Sequence, residues 1–285
     1  MGNKVLISVD STCDLPKELL KERNIRQIPL YITVGEETYL DGLEITPDEI
    51  YARYEKEGVL PKTAAISIGD FVTHFKNLLE EADQIIHFSL SSCFSCTYQN
   101  ACLAAEEFPG RVFNVDTMNL STGEALTILH AQDMLDAGAT AQEILEDVSL
   151  FVKCVDASFV IESLEFLHKG GRCSTVAALG ANLLSIKPCI EVRDGKMDVG
   201  KKYRGKFKAV LGKYIEDCLA IPNLDTHRAV ITHAGCDPEL VQFVKGMVEK
   251  DGRFEELLLT RAGCTISSHC GPNTLGLLMV RKDAF

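Results

Sequence analysis

Short apolar runs alternate with amphipathic segments along the whole chain of 285 residues, and this alternation constrains the fold more than any other feature. The strand candidates of the first half are Lys4–Val9, Gln27–Val34, Gln84–Leu90 and Arg111–Val115. Helix-start signals stand between and after them: Thr46 precedes a proline, Ser67 precedes an acid by three positions, and Thr140 begins a full capping box. The pattern predicts a mostly parallel α/β sheet.

A second set of elements begins near Ala157. Its strand candidates are Ser158–Glu162, Pro188–Arg193, Lys196–Tyr203, Arg228–His233, Glu256–Arg261 and Thr274–Arg281. Asp194-Gly195 is a hairpin turn sequence, so part of this second sheet should be antiparallel. The length also fits two domains. We therefore predict two α/β domains, residues 1–156 with a mostly parallel sheet and residues 157–285 with a mixed sheet.

The charge of the chain is uneven. Lys and Arg number 29 against 41 acidic residues, for a net charge of −12, and such an acidic chain is a poor general binder of nucleic acid. Residues 1–155 carry 11 basic and 25 acidic side chains, or −14, whereas residues 156–285 carry 18 and 16, or +2. This asymmetry is either chance surface composition or a sign that the second half faces an anionic ligand or an acidic partner.

The cysteines and the apolar runs both indicate a cytoplasmic protein. The 11 cysteines are odd in number and scattered, and a chain of this size needs no disulfide to hold a core, so we expect mostly reduced thiols. The first apolar run, Val5–Val9, is too short for a secretory signal. No stretch approaches 18 uninterrupted apolar residues, so we expect no transmembrane segment.

Common cofactor motifs are missing from the sequence. It has no Gly-rich Walker loop, no strand-linked G-x-G-x-x-G and no H-E-x-x-H. The pair Cys93 and Cys96 lacks a second close pair at zinc-ligand spacing. We therefore expect neither a cofactor nor a metal.

Two polar segments next to strand or helix ends are candidate anion sites. Ser89–Asn100 combines several hydroxyls with a predicted helix start, where free backbone N–H groups favour an anion. Ordinary helix capping is the alternative, although it needs only one of these serines. In His168–Thr175, a glycine pair holds Arg172 near the next helix start, where its guanidinium suits a carboxylate or phosphate. Arg172 could equally clamp backbone carbonyls.

The segment Ser267–Thr274 is a third candidate. We predict that its histidine, His269, lies in a loop rich in Ser, Gly and Pro, and loops carry functional residues more often than helix faces do. We interpret five other histidines as structural, because they lie within helix or strand patterns: His74, His87, His130, His227 and His233.

Thiol chemistry and a basic run are two further possibilities. Cys93 and Cys96 form a C-x-x-C at a helix start, where a thiolate is favoured, so a thiol-dependent oxidoreductase is conceivable. An acyl-transfer enzyme using Cys270 with His269 is a related alternative. Five basic residues crowd into Lys201–Lys208, which is either a solvated face or a docking surface for an acidic partner or phosphates.

Nine short motifs occur in an order that covers the whole chain. They are residues 10–16 (DSTCDLP), 41–47 (DGLEITP), 60–63 (LPKT), 91–99 (SSCFSCTYQ), 116–123 (DT and STG), 170–174 (GGRCS), 187–188 (KP), 204–209 (RG and KA) and 269–272 (HCGP). In this order they resemble the DegV family of bacterial fatty-acid-binding proteins, the binding subunits of fatty acid kinase.

The resemblance implies a DegV-like fold with one long-chain fatty acid in a tunnel at the domain junction. Thr63, Ser95 and His269 would contact its carboxylate, and Arg172 would order this network. Additional pocket positions would be Ser92, Cys96, Cys270 and Gly271.

The resemblance also implies a role without catalysis or cofactor. Such a protein presents the carboxylate to a separate ATP-dependent fatty acid kinase, which makes acyl-phosphate for phospholipid synthesis. The missing Walker loop fits this division of labour. The basic residues that would dock the kinase are Lys201, Lys202, Arg204 and Lys208.

The chain departs from the usual family motifs at a few positions. Ala64 and Ala65 stand where Ser and Gln are usual after the motif threonine, and Cys96 stands where glycine is usual. A cysteine would be strained there if the position requires a positive φ. Asn273 replaces a glycine, and asparagine tolerates the left-handed conformation.

Overall fold

The structure is a computed structural model, and it describes residues 3–177 and 186–283. The strands are β1 (Val5–Asp10), β2 (Arg26–Ile28), β3 (Tyr31–Val34), β4 (Glu37–Leu40), β5 (Lys62–Ala64), β6 (Gln84–Ser89), β7 (Val112–Asp116), β8 (Val155–Ile161), β9 (Ile186–Arg193), β10 (Lys196–Arg204), β11 (Arg228–Ala234), β12 (Glu256–Arg261) and β13 (Thr274–Val280). The helices are α1 (Lys17–Glu22), α2 (Pro47–Glu57), α3 (Ile68–Leu78), α4 (Thr97–Ala105), α5 (Ser121–Asp136), α6 (Ala141–Phe151), α7 (Glu165–Gly170), α8 (Ser174–Ala177), α9 (Phe207–Leu219), α10 (Pro238–Asp251) and α11 (Cys264–Cys270).

These strands form three sheets. The first has the order β2-β1-β6-β7 and is parallel throughout. The second, β4-β3-β5, is a small antiparallel sheet. The third has the order β10-β9-β8-β13-β11-β12, in which only the β11–β12 pair is parallel. The expected α/β class, with one parallel and one mixed sheet, is confirmed.

The local signals in the sequence explain where several elements begin and turn. Thr46 and Thr140 each form a capping box with the glutamate three residues later, and the Ser67 hydroxyl accepts from the backbone N–H of Asp70. Asp194 and Gly195 join β9 to β10 with φ angles of 48° and 75°, and such positive values are what a two-residue hairpin turn requires.

The single strand predicted over Gln27–Val34 is wrong. The chain breaks at Pro29, whose missing N–H cannot continue a ladder. Before the proline, β2 pairs with β1 in the parallel sheet, and after it β3 pairs with β4 and β5 in the small sheet. Neither β4 nor β5 was predicted, because each is only three or four residues long and without a clear apolar period.

Two helices link the halves of the molecule. The largely buried helix α5 contacts β1 and β6 of the parallel sheet as well as β8, β11 and β13 of the mixed sheet. Helix α11, from the second half, packs on α2, β3 and β5 of the first. The mixed sheet begins with β8 at Val155, but a domain boundary at residue 156 stays a prediction because these contacts join the two halves closely.

Candidate functional site: a cleft between the two halves

A cleft lies where the two halves meet, and residues of both halves line it. Much of its wall is apolar and belongs to one cluster that backs onto the mixed sheet. Members of this wall are Phe94, Leu120, Leu167, Val192, Met197 and Leu278. Thr63, Ser95, Arg172 and His269 also line the cleft. The structure therefore brings together the four residues that the sequence singled out for a carboxylate.

Thr63 and His269 form the contact between the halves at this site. Thr63 is the middle residue of β5 and pairs with Ile32 of β3. His269 lies in the last turn of α11, so its prediction as a loop residue is wrong, and the residues from Cys264 to Cys270 are helical. Thr63 Oγ1 and His269 Nε2 are 2.9 Å apart, although 206 positions separate the two residues in sequence.

The second ring nitrogen of His269 indicates which tautomer is present. Nδ1 is buried and has no hydrogen-bond partner among the described residues. It faces Gly170, where an added Cβ would stand 2.5 Å from it. Burial, assisted by the charge of Arg172, lowers the pKa of His269 to about 4, so the ring is neutral at pH 7. A buried N–H without an acceptor is costly, which places the single proton on Nε2.

This tautomer determines what the threonine hydroxyl offers to a ligand. When His269 donates through Nε2, the Thr63 oxygen accepts, and the hydroxyl hydrogen of Thr63 is free to donate elsewhere. The pair therefore presents an O–H donor toward the cleft. An O–H donor of this kind suits a carboxylate oxygen.

Ser95 adds a second hydroxyl at the entrance to α4. Its Oγ lies 2.8 Å from Thr97 Oγ1 and accepts from the backbone N–H of Thr97 at 3.2 Å. The next residue, Cys96, has a φ of −77°, so a cysteine replaces the usual family glycine at this position without backbone strain. Asn273, in contrast, does adopt the left-handed region with a φ of 56°.

Arg172 clamps the backbone and also lines the cleft. Its Nη1 donates to the carbonyl of Gly170 at 2.8 Å, just after Gly171 ends α7 with a φ of 69°. The side chain is exposed, and it belongs to the lining of the cleft. Binding an anion and clamping a backbone carbonyl, the two roles that the sequence left open for Arg172, are therefore compatible. A guanidinium has five N–H donors, and the bond to Gly170 uses one of them.

Of the additional pocket positions, only Cys270 lines the cleft. Ser92 is held by Asp116, which accepts from its backbone N–H, and Cys96 is exposed to solvent. Gly271 packs so tightly on Phe166 that an added Cβ would stand 2.8 Å from the ring. Ser92, Cys96 and Gly271 therefore lie outside this lining, and a place for them in the pocket stays a prediction.

The geometry disfavours thiol chemistry at Cys270. Burial raises the pKa of this thiol to about 12, so the nucleophilic thiolate is scarce at neutral pH. Its Sγ lies 3.6 Å from the Gly271 carbonyl, and the His269 ring nitrogen that has a partner is bonded to Thr63 instead. Cys93 and Cys96 are both exposed free thiols.

The sequence reasoning missed one histidine of the cleft. His233 was interpreted as structural, yet it lines the cleft near the end of β11. Its Nδ1 is buried without a partner among the described residues, and burial lowers its pKa. Its position near the carboxyl end of a strand is a signal that could have identified it, because ligand crevices in α/β sheets lie at such ends.

The basic run lies away from the cleft, and none of its residues belongs to the lining. Lys201, Lys202 and Arg204 are exposed on β10, which pairs only with β9 among the described strands. Lys201 forms an ion pair with Asp217 at 2.5 Å, and Lys208 lies over the ring of Phe243 at 5.1 Å. The run therefore makes one edge of the mixed sheet cationic.

Within residues 3–177 and 186–283, no helix combines the length and the apolar character needed to cross a bilayer. Over the same ranges, no group of three or more potential metal-ligating side chains is arranged to hold an ion.

The fold and cleft define an α/β protein with a parallel sheet, a mixed sheet and a small antiparallel sheet, whose cleft has a largely apolar wall and several polar side chains. The chain belongs to the DegV family: the profile described as "Uncharacterised protein, DegV family" matches residues 4–282. A DegV domain-containing protein of Clostridium perfringens is 34% identical over 281 residues, covering 98% of this chain and 99% of that protein.

Solved structures show the same architecture. A DegV family protein from Thermus thermophilus, described by its fatty acid binding, has a TM-score of 0.91 and 32% identity, covering 98% of this chain and 99% of that one. A stearic-acid-binding protein from Eubacterium ventriosum has a TM-score of 0.83 and 26% identity, covering 97% and 98%.

Proposed function

We propose that this protein binds one long-chain fatty acid in the cleft and, without catalysing a reaction itself, presents the carboxylate to a separate ATP-dependent fatty acid kinase. The observation that carries the proposal is the Thr63–His269 pair, which places a hydroxyl donor in a cavity whose wall is otherwise largely apolar. The fatty acid binding of the structural relatives supports it.

The apolar wall accounts for the affinity. A C16 tail contains about 14 methylenes, and at ~0.8 kcal/mol each their burial gains on the order of 11 kcal/mol before the costs of association are subtracted. The tail would lie against the wall that includes Phe94, Val192 and Met197. The tail would therefore supply most of the binding free energy.

The polar residues account for the position of the head group. A carboxylate taken out of water is costly unless its oxygens accept hydrogen bonds. Thr63 and Ser95 would donate through their hydroxyls, His269 would orient Thr63, and Arg172 would supply a positive charge nearby. An oxygen held in this way is available as the nucleophile for phosphoryl transfer by the kinase.

The cationic edge at β10 is the surface that we propose for docking the kinase. Lys201, Lys202, Arg204 and Lys208 are exposed and lie outside the lining of the cleft, so a partner could bind there without displacing the lipid. Charge complementarity of this kind mainly raises the association rate. The product, acyl-phosphate, would then serve phospholipid synthesis in a bacterial cytoplasm.

Ligand identification tests the proposal directly. Solvent extraction of the natively purified protein followed by mass spectrometry should reveal about one equivalent of a long-chain fatty acid. A protein that is empty as purified and takes up neither palmitate nor oleate would contradict the proposal. Alkylation of the exposed Cys93 and Cys96 tests the thiol-enzyme alternative, because a carrier should still bind its lipid.

A further inference from the structure

Helix α11, which carries His269, begins between two buried carboxylates from the other half of the molecule. Asp14 Oδ1 accepts from the backbone N–H of Gly263 at 2.7 Å. Asp41 Oδ1 accepts from the N–H of Cys264 at 2.9 Å, and its Oδ2 accepts from the N–H of Thr265 at 3.2 Å. Three consecutive N–H groups at the helix start, which have no partner within the helix, are thus satisfied from the first half.

The two carboxylates are built into the interior and do not line the cleft. Asp14 is 6% exposed and Asp41 is 4% exposed. The hydroxyl of Thr265 also donates to Asp41 Oδ2, at 2.6 Å. The approach is close, since a Cβ at position 263 would stand 3.0 Å from Asp14 Oδ1 and the Asp14 side chain would have to shift to accommodate it.

Asp41 is also connected to the strand pair that carries Thr63. The hydroxyl of Ser11 donates to Asp41 Oδ2 at 2.9 Å and accepts from the backbone N–H of Leu30 at 3.0 Å. Leu30 immediately precedes β3, in which Ile32 pairs with Thr63. The Asp41 carboxylate therefore contacts α11, the helix that carries His269. Through Ser11 it is also connected to the strand pair β3 and β5, which carries Thr63.

We propose that Asp41, assisted by Asp14, is a positioning residue that holds α11 and β3 in register so that His269 Nε2 meets Thr63 Oγ1. The helix from Cys264 to His269 rises only about 8 Å, so a displacement at its start is passed on to the imidazole. This inference rests on the proposed function, because it concerns recognition of the carboxylate and not of the tail.

The test compares two ligands that differ only in the head group. Asp41→Asn keeps the shape but removes acceptor capacity. We expect palmitate to bind about tenfold more weakly, by analogy with the roughly 10–100-fold losses that follow removal of the partners that orient metal-ligating histidines. Binding of 1-hexadecanol should stay within about twofold, because the tail contacts are unchanged. Asp156→Asn is the matched control: Asp156 is a buried carboxylate paired with Arg281, outside the cleft lining, and should change neither affinity.

A second readout concerns the ligand-free protein. The ring ¹⁵N resonances of His269 should report a protonated Nε2 in the wild type and a changed Nε2 environment in Asp41→Asn. Equal losses for palmitate and hexadecanol, or unchanged palmitate binding with unchanged ring resonances, would overturn the positioning role. If the wild type bound no fatty acid, the proposed function would fail, while the ring resonances would still decide whether Asp41 positions His269.

Ser11→Ala provides a milder variant if Asp41→Asn does not fold. It removes the side-chain bridge from the Asp41 carboxylate through Ser11 to Leu30, while the backbone bond from the Asp41 N–H to the Leu30 carbonyl and the bonds from Asp41 to α11 stay in place. We expect the same selective loss for palmitate, of about threefold, since the two hydrogen bonds of the Ser11 hydroxyl are lost while the other supporting bonds remain. A loss that is the same for both ligands would contradict the proposal here as well.

Discussion

Two polar regions lie close together at the junction of the halves, and they use similar side chains in opposite ways. One is a buried acidic cluster made of Asp10, Asp14, Asp41 and Glu124, whose oxygens are largely occupied by backbone N–H groups and hydroxyls of the protein. The other is the Thr63–His269 pair with Ser95, in which a hydroxyl donor remains available. Polar groups whose hydrogen bonds are made within the protein stabilise the fold. A hydroxyl whose hydrogen is still free to donate can instead bind a ligand.

The pKa values show the same contrast. Burial raises the pKa of Asp10 to about 6 and raises those of Asp14 and Glu124 well above their usual range, because charged carboxylates lose their hydration there. Burial lowers the pKa of His269 to about 4. Burial therefore favours the neutral forms of Asp10, Asp14 and Glu124 and of His269, and Arg172 supplies a positive charge to the lining of the cleft.

The largest expected effect comes from removing the hydroxyl donors of Thr63 and Ser95. The double variant Thr63→Val with Ser95→Ala should weaken palmitate binding about a hundredfold, since a hydrogen bond to a charged group contributes about 1.5–3 kcal/mol. Titration calorimetry or a displacement assay measures the change. Ser92→Ala is the control, because its side chain lies outside the cleft lining and its backbone N–H bonds to Asp116 persist. Unchanged lipid content and unchanged kinase support in the double variant would refute these assignments.

Titrating the acidic cluster tests its purely structural role. The folded-state pKa of Asp10 is about 6 against 3.8 unfolded, so the folded state takes up a proton first as the pH falls. This carboxyl alone should make the protein more stable by about 3 kcal/mol on going from pH 8 to pH 4, from about 1.4 kcal/mol per pKa unit. Asp10→Asn should remove this increment, as chemical unfolding at both pH values can show. Equal pH dependence in the two proteins would contradict the raised pKa.

Buried histidines act in the opposite direction and must be accounted for in that experiment. Ser8 Oγ bridges His74 Nε2 at 2.8 Å and His87 Nδ1 at 2.9 Å, and burial lowers the pKa of both rings, that of His74 to about 4. Their unfolded forms take up protons below about pH 6.5 while the folded forms do not, so they destabilise the protein as the pH falls. The difference between wild type and Asp10→Asn isolates the carboxyl, because both proteins keep the two histidines.

The sequence predicted the elements with strong periodicity and left out those set by tertiary context. Capping boxes at Thr46 and Thr140 and the turn at Asp194 were readable because their signals are local. The small antiparallel sheet was missed because β4 and β5 are short, and its strand β3 was merged with β2 across Pro29. Yet this small sheet carries Thr63, so a residue identified by family resemblance sits on an element that periodicity did not reveal.

The placement of His269 shows the same limit. Its surroundings of Ser, Cys and Gly resemble a loop, and only the contacts of Asp14 and Asp41 with the first N–H groups explain a helix there. Those acids are about 220 to 250 positions away in sequence. A long-range cap of this kind leaves no local signal, so neither the helix nor its positioning residues could be predicted from the chain alone.

The Nδ1 atom of His269, which has no hydrogen-bond partner among the described residues, can be tested by adding one methyl group beside it. In Gly170→Ala the new Cβ would stand 2.5 Å from Nδ1 and force the ring to move, so we expect palmitate to bind about tenfold more weakly. Gly246→Ala is the matched control in α10, where nothing lies within 4 Å of the added Cβ and alanine favours the helix. If Gly170→Ala and Gly246→Ala bind palmitate with equal affinity, the close contact of His269 with Gly170 is unimportant for palmitate binding.

The cationic edge at β10 should be independent of both interior regions, and its effect should be the smallest. Replacing Lys201, Lys202 and Arg204 with alanine should slow phosphorylation of the bound lipid several-fold at low salt, because surface charge mainly steers association. Palmitate affinity should stay unchanged, since these side chains lie outside the cleft lining. Lys245→Ala with Lys250→Ala, on α10 of the same half, is the charge control. If both variants support the kinase equally at every salt concentration, the basic edge is only a solvated face, and the kinase must recognise another part of the surface.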